Sequence, residues 1–346
     1  MRILIYGAGA IGGYLGAVLS EAGLDVSLLA RGATHAALAA GGIVLEQANG
    51  RRRRVPLRVL HADEVDGGYD LVLVTLKATQ LAAAAPHIAA TAGPDASIVM
   101  IQNGLPWWYF EQIDSPLHGT RLHSLDPDGA LARGFELERV VGAVIYQPVT
   151  VRAPGHLLTP GTAPARLIIG EIDNRIRPRT ERITDLLGTE GLEVSATSDI
   201  RREKWRKLLI NLVWNPLCAL TQSAPGHIAA LPGGARLVGQ LLQEATTVAA
   251  ALSVQLDCDP ERELQRVAGN FDQQPSMLQD LRAGRALETD AILNSVIEIA
   301  DLVGVAVPTL RNIASCIALL DQRLREDAVA IRPIPLSHPE PSRCSP

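Results

Sequence analysis

Gly7-Ala8-Gly9-Ala10-Ile11-Gly12 is the stretch on which the reading of this chain turns. It has the form G-x-G-x-x-G, which is weak alone and informative only in context. Here a short apolar run at residues 2–6 precedes it and suits a buried parallel strand. Behind it, residues 11–22 are apolar enough for a helix packed on a sheet, and Gly23 supplies a stop. Strand, glycine turn and helix in that order are the context the motif needs. Gly7 then permits the tight turn, Gly9 lets backbone approach a pyrophosphate, and Gly12 lets the helix pack closely on the strand. Ala10 and Ile11 begin the helix, whose free N–H groups and positive dipole end favour an anion. These five residues are the expected dinucleotide cradle.

The same alternation continues outward. Residues 26–30 read as a second strand and residues 33–41 as an Ala-rich helix. Residues 43–46 and 55–60 flank Asn49-Gly50, a strong hairpin signal. Residues 69–76, 97–101, 140–147 and 165–169 read as further strands, with an Ala-rich helix near 78–90. Strands separated by helices predict a parallel sheet with right-handed crossovers. From about residue 179 the pattern turns helical, with amphipathic candidates at 203–220, 237–256, 287–303 and 309–325. The expected organisation is a dinucleotide-binding domain at 1–175, a helical substrate or dimerisation domain at 176–330, and a loose, Pro-rich flexible tail at 331–346.

Composition narrows the function classes. The 346 residues are 47% hydrophobic, which excludes a wholly disordered chain. Aromatics are only 3%, too few for a stacking platform for single-stranded nucleic acid. A net charge of −5 gives no basic field to draw the chain to nucleic acid or anionic lipid. The run Arg51-Arg52-Arg53-Arg54 is read as the solvated tip of the hairpin. Cys218, Cys258, Cys316 and Cys344 lie far apart, so neither a disulfide framework nor a metal site is expected, and a reducing cytoplasmic setting is. The apolar N-terminus resembles a signal peptide only superficially, because its glycines belong to the motif. No stretch predicts a membrane span.

The end of the second strand indicates the cofactor. An NAD site usually carries Asp or Glu there, to bind the ribose 2′-hydroxyl. This chain reads Leu29-Ala30-Arg31, with Asp25 ahead of the strand rather than after it. Arg31 suits a 2′-phosphate, so NADP(H) is expected. Lys77 and Asn103 both follow strands, at the carboxyl ends where open α/β sheets bind ligands.

In the helical half, Lys207, Asn211 and Asn215 recur at a spacing of four and share one helix face. Buried polar groups without partners cost about 1–3 kcal/mol each. Two readings therefore stand. Either a small polar ligand supplies the partners, or the residues form a helix-packing network in which Asn215 helps end the helix before Pro216. A second polar set, Ser276, Asp280 and Glu288, serves either ligand binding or capping and surface pairing.

Taken in order, these pieces resemble the ketopantoate reductase (2-dehydropantoate 2-reductase) family over roughly residues 1–325. The resemblance rests on Gly7/Gly9/Gly12, Arg31, Lys77, Gln102-Asn103-Gly104 and Trp205-Arg206-Lys207-Leu208. Asn211, Asn215, Ser276-Met277-Leu278-Gln279-Asp280 and Glu288 complete it. It implies an α/β fold, with an N-terminal Rossmann domain and a mostly helical C-terminal domain around a cleft. It further implies NADPH-dependent reduction of 2-dehydropantoate to pantoate by hydride transfer to the C2 carbonyl, in the pathway to pantothenate. By resemblance, Lys207 is the general acid and Glu288 orients the substrate hydroxyl. Ser276 takes the carboxylate, Asn211 and Asn215 contact the hydroxyl end, and Asn103 aligns nicotinamide and substrate. Asp280 is a structural partner. A homodimer is expected.

The chain departs from the family pattern at Trp107-Trp108-Tyr109-Phe110, Gln273-Gln274-Pro275 and Leu293-Asn294. The aromatic run either lines a pocket of altered size or plugs the core. Two alternatives follow, a reductase of a different 2-oxo acid and an NADP-binding sensor without turnover.

Overall fold

The computed structural model describes residues 1–161 and 163–333. The tail expected at 331–346, with Cys344, falls almost entirely outside the described residues.

The first five strands are β1 (Ile3–Tyr6), β2 (Val26–Leu29), β3 (Ile43–Gln47), β4 (Arg52–Val55) and β5 (Arg58–Leu60). Then follow β6 (Tyr69–Val74), β7 (Ala92–Met100), β8 (Val140–Tyr146), β9 (Thr150–Ala153), β10 (His156–Thr159), β11 (Ala165–Glu171) and β12 (Leu192–Ala196). Eight of them form one sheet in the order β12-β11-β8-β7-β6-β1-β2-β5. From β5 to β8 every pairing is parallel, as predicted. The expectation of a purely parallel sheet fails at β11, which pairs antiparallel to β8. The connection between them carries the hairpin β9–β10 in place of a crossover helix.

Burial explains the continuous apolar strands. In β1, Ile3 and Ile5 join the core on one face of the sheet, while Leu4 and Tyr6 join the core on the other. With both faces covered, alternation disappears from the sequence. The covering helices are α1 (Ala10–Glu21), α2 (Gly32–Gly41), α3 (Ala78–Thr91), the short α4 (Ala130–Gly134) and α5 (Pro178–Leu187).

A second sheet, β4-β3-β10-β9, was not anticipated beyond its first hairpin. It covers α1, where Gly13 leaves room for Ile43 and Leu157. The Asn49-Gly50 turn forms, but its second strand is β4, earlier than expected, and β5 leaves to join the large sheet. The arginines are therefore not a tip. Arg52, Arg53 and Arg54 run along β4, and reach Glu46, Glu21 and the Gly41 carbonyl.

The helical part begins later than residue 176. Both α5 and β12 complete the first sheet, with β12 pairing parallel to β11. It opens with α6 (Ile200–Thr221), capped by the Asp199 side chain accepting from Arg202 N at 3.1 Å. Pro216 does not end this helix, contrary to one of the two readings above. The chain runs on to a left-handed Gln222, with Pro216 itself packed in the core. The remaining helices are α7 (Pro225–Ala229), α8 (Pro232–Ala251), α9 (Pro260–Val267), α10 (Ser276–Arg282), α11 (Ser295–Leu302) and α12 (Pro308–Glu326). The helix expected over 287–303 is not uniform, because residues Asp290–Asn294 form a π-helical turn before α11.

Candidate functional site

The glycine turn has the shape its spacing requires. Gly7 takes φ +116°, and a Cβ on Gly12 would stand 1.8 Å from the Gly7 carbonyl oxygen. Thr75 locks the turn by donating from Oγ1 to that same oxygen at 2.8 Å. Gly9 is different, since a Cβ there would meet nothing within 4 Å. The turn thus leaves open space above Gly9. Helix α1 has no side-chain cap and no acid in its first turn, so the N–H groups of Ala10 and Ile11 face that space uncontested. This cradle fits a dinucleotide pyrophosphate. Arg31 lies at the end of β2 as the exposed N-cap of α2. Among the described residues no carboxylate pairs with it.

The remaining candidates converge where the large sheet meets the helical part. Lys77 caps α3 from the sheet side, and its Nζ lies 2.5 Å from Asp280 Oδ2 on α10. The two form an ion pair without good hydrogen-bond alignment. Asp280 is buried and also accepts from Arg285 Nε at 2.9 Å, which fits the structural role expected of it. Next to this pair, Glu288 accepts from Ala78 N at 3.2 Å and is only 6% exposed. Burial pushes its carboxyl above the usual range, while the Lys77 charge, the Ala78 N–H and the nearby Asn103 amide act against the rise.

Asn103 owes its place to its neighbours. Gly104 takes φ +77°, and a Cβ there would lie 2.0 Å from the Ala291 oxygen. Leu105 N donates to that oxygen at 2.9 Å. The carbonyl is thus shared with a loop outside the helix, which accounts for the π-helical turn just after Glu288. Gln102 donates from Nε2 to Val74 O and Leu76 O at 2.9 and 3.3 Å, joining the loop to the end of β6.

On α6, Lys207 is half-buried and donates from Nζ to Ile145 O at 2.6 Å. Burial pushes its ammonium down to about 8, and the Glu288 charge limits the fall. One turn on, Asn211 Nδ2 is buried with no hydrogen-bond partner. A further turn on, Asn215 Nδ2 reaches Ser276 Oγ at 3.5 Å, at the first residue of α10. The face predicted from spacing therefore exists. Asn215 and Ser276 have partners within it, whereas Asn211 does not.

The aromatic run is core. Trp107, Trp108, Tyr109 and Phe110 are all 6% exposed or less. Trp205 Nε1 donates to Tyr109 OH at 2.7 Å, and buried Arg201 donates to the Tyr109, Ile172 and Glu111 carbonyls. Of its two readings, the plug is the one the structure takes.

Sequence reasoning missed Thr75 and Lys204, and quoted Gln102 without giving it a role. Lys204 is a buried lysine whose Nζ donates to Gln102 O at 2.7 Å. Its signal was present, as a polar residue three before Lys207 on an otherwise apolar helix face. Among the described residues no helix is long and apolar enough to cross a membrane.

Comparison with known proteins agrees with this architecture. The model of "Ketopantoate reductase PanE/ApbA" matches residues 3–174, and that of its C-terminal part matches residues 199–321. The interval between the two matches contains α5 and β12. A 2-dehydropantoate 2-reductase of Mesorhizobium japonicum is 39% identical over 92% of this chain and 98% of its own. A crystal structure from Ralstonia solanacearum MolK2, assigned to ketopantoate reductase, superposes with a TM-score of 0.85 at 33% identity, covering 95% of this chain and 99% of that one. A 2-dehydropantoate 2-reductase from Geobacter metallireducens gives a TM-score of 0.79 at 29% identity, covering 92% and 99%. An oxidoreductase acting on a CH–OH donor, the chain belongs to the ketopantoate reductase family.

Proposed function

We propose that this protein reduces 2-dehydropantoate to pantoate with NADPH, with Lys207 as the proton donor. The observation that carries the reading is on α6. A half-buried ammonium at Lys207 and an unpartnered buried amide at Asn211 stand one turn apart on one helix face. Leaving such an amide unpaired is costly, and a substrate hydroxyl or carbonyl would satisfy it.

The cofactor, held by Gly7, Gly9, Ala10, Ile11 and Gly12 and by Arg31 at a 2′-phosphate, would supply a hydride to the C2 carbon. The chain's own residues do the rest. As C2 gains the hydride its oxygen becomes an alkoxide, and Lys207 Nζ donates its proton there. With its ammonium at about 8, Lys207 is mostly protonated at neutral pH yet gives the proton up more readily than an exposed lysine. Its charge also stabilises the developing oxyanion. Glu288 accepts from the substrate hydroxyl, and the neighbouring Asn103 amide aligns nicotinamide and substrate. Ser276, at the start of α10, hydrogen-bonds the substrate carboxylate, and Asn215 orients Ser276. Lys77, held by Asp280 beside Glu288, would contact the cofactor or the substrate anion. Burial of the aromatic run at 107–110 favours 2-dehydropantoate over another 2-oxo acid, because that departure from the family pattern lies in the core. The homodimer belongs to the same proposal.

The test is a panel. Initial rates of NADPH and NADH oxidation are measured with 2-dehydropantoate and other 2-oxo acids, and the product is identified. The proposal expects the highest kcat/KM for 2-dehydropantoate with NADPH. A higher value for another 2-oxo acid would remove the substrate assignment, and no oxidation with any would remove the reaction.

A further inference from the structure

One helical turn before Lys207, the same helix carries a second lysine that the proposed reaction leaves unused. Lys204 is 3% exposed and has no acid near enough to affect its charge. Burial pushes its ammonium down to about 7, helped by repulsion from Lys207. Removing a lysine from water without a counter-ion is unfavourable, and an apolar side chain would fill the space without that penalty. The one bond it makes is therefore the place to look for its purpose.

That bond runs from Lys204 Nζ to the carbonyl of Gln102, at 2.7 Å. Gln102 precedes Asn103, whose side-chain amide stands near enough to Glu288 to favour its carboxylate form. The Gln102 side chain is tied to the carbonyls of Val74 and Leu76 at the end of β6. On the other side, Leu105 N is tied to Ala291 O, three residues beyond Glu288. The loop is thus held from the sheet, from the segment bearing Glu288, and from α6. The tie from α6 comes from the helix that also carries Lys207. A neutral amine donates to a carbonyl as an ammonium does, so the tie outlasts deprotonation.

We propose that Lys204 is a positioning residue: by fixing the Gln102 carbonyl to α6, it sets where the Asn103 side chain stands relative to the Lys207 Nζ. A single turn of one helix then fixes the spacing between proton donor and substrate-aligning amide. This inference rests on the reading of Lys207 as proton donor. Misplacing a reacting group by about 1 Å can lower a rate by about a hundredfold.

The test compares the whole protein with its Lys204→Met variant by two measurements. The first is amide hydrogen exchange of a peptide spanning residues 101–106. The second is steady-state kinetics with NADPH and with NADPH deuterated at the transferred position. The proposal expects faster exchange in that peptide and little change along α6. It expects kcat to fall about 10- to 100-fold, NADPH affinity to hold within about twofold, and the isotope effect to rise as hydride transfer becomes more rate-limiting. A purely structural role would lower the fraction of active protein and leave KM and the isotope effect unchanged, and that result overturns the proposal. So does unaltered exchange at 101–106. If Lys204→Met does not fold, Lys204→Gln is read by the same criteria. If the wild-type protein reduces no 2-oxo acid, the proposed function fails on its own, while the exchange measurement still decides whether Lys204 holds the loop.

Discussion

The two halves of the site are made of different materials. The cradle at residues 7–12 is backbone, its shape dictated by where a Cβ cannot go. The cluster beside α6 is side chain, gathered from positions as far apart as Lys77 and Glu288. A backbone site tolerates almost any side chain that does not intrude, and fails abruptly at the glycines. A side-chain site can lose one group and keep its fold. The two halves should therefore break in different ways, and variants can separate them.

The largest effect is expected at the proton donor. Lys207→Ala should lower kcat by about 10²- to 10⁴-fold while NADPH affinity, measured by fluorescence titration, is retained. A sensor without turnover would have no such activity to lose. Next comes cofactor choice. Arg31→Ala should weaken NADPH by about 10- to 100-fold, the value of a charge-assisted bond, and leave NADH affinity unchanged. Equal weakening of both coenzymes would mean that Arg31 does not read the 2′-phosphate.

The smallest effects sharpen the contrast within the cradle. At Gly12 a Cβ would collide with backbone 1.8 Å away, so Gly12→Ala should cost about 1–3 kcal/mol of stability and lower the Tm. At Gly9 the space is open and the backbone extended. Gly9→Ala should then keep the wild-type Tm and lose NADPH affinity only. A fall in Tm at Gly9 equal to that at Gly12 would contradict the division of labour between them.

The same contrast explains what the sequence made legible. The cradle could be read directly, because glycines at fixed spacing between an apolar strand and helix have few other uses. The shared face of Lys207, Asn211 and Asn215 followed from helical period alone, but its meaning did not, since a packing network has the same period. Convergence of Lys77, Asn103, Ser276 and Glu288 depends on tertiary contacts that no local pattern encodes. It was foreseen through family resemblance. The second sheet was missed because β9 and β10 are four-residue strands with little apolar signal. The helical part was placed too early because charged α5 and half-exposed β12 lack the apolar run of an inner strand. Lys204 escaped notice because a lysine is ordinarily solvated, and only the carbonyl of a distant loop reveals why it is buried.

The proposed reaction turns on the Lys207 ammonium, so the most direct test is the pH dependence of kcat/KM for reduction of 2-dehydropantoate. A donor must hold its proton to act. Lys207 is mostly ammonium below about 8 and mostly amine above it. The account predicts a level profile at lower pH that falls about tenfold per unit above about pH 8. A profile that stays level to about pH 10, where an unperturbed lysine titrates, would contradict it.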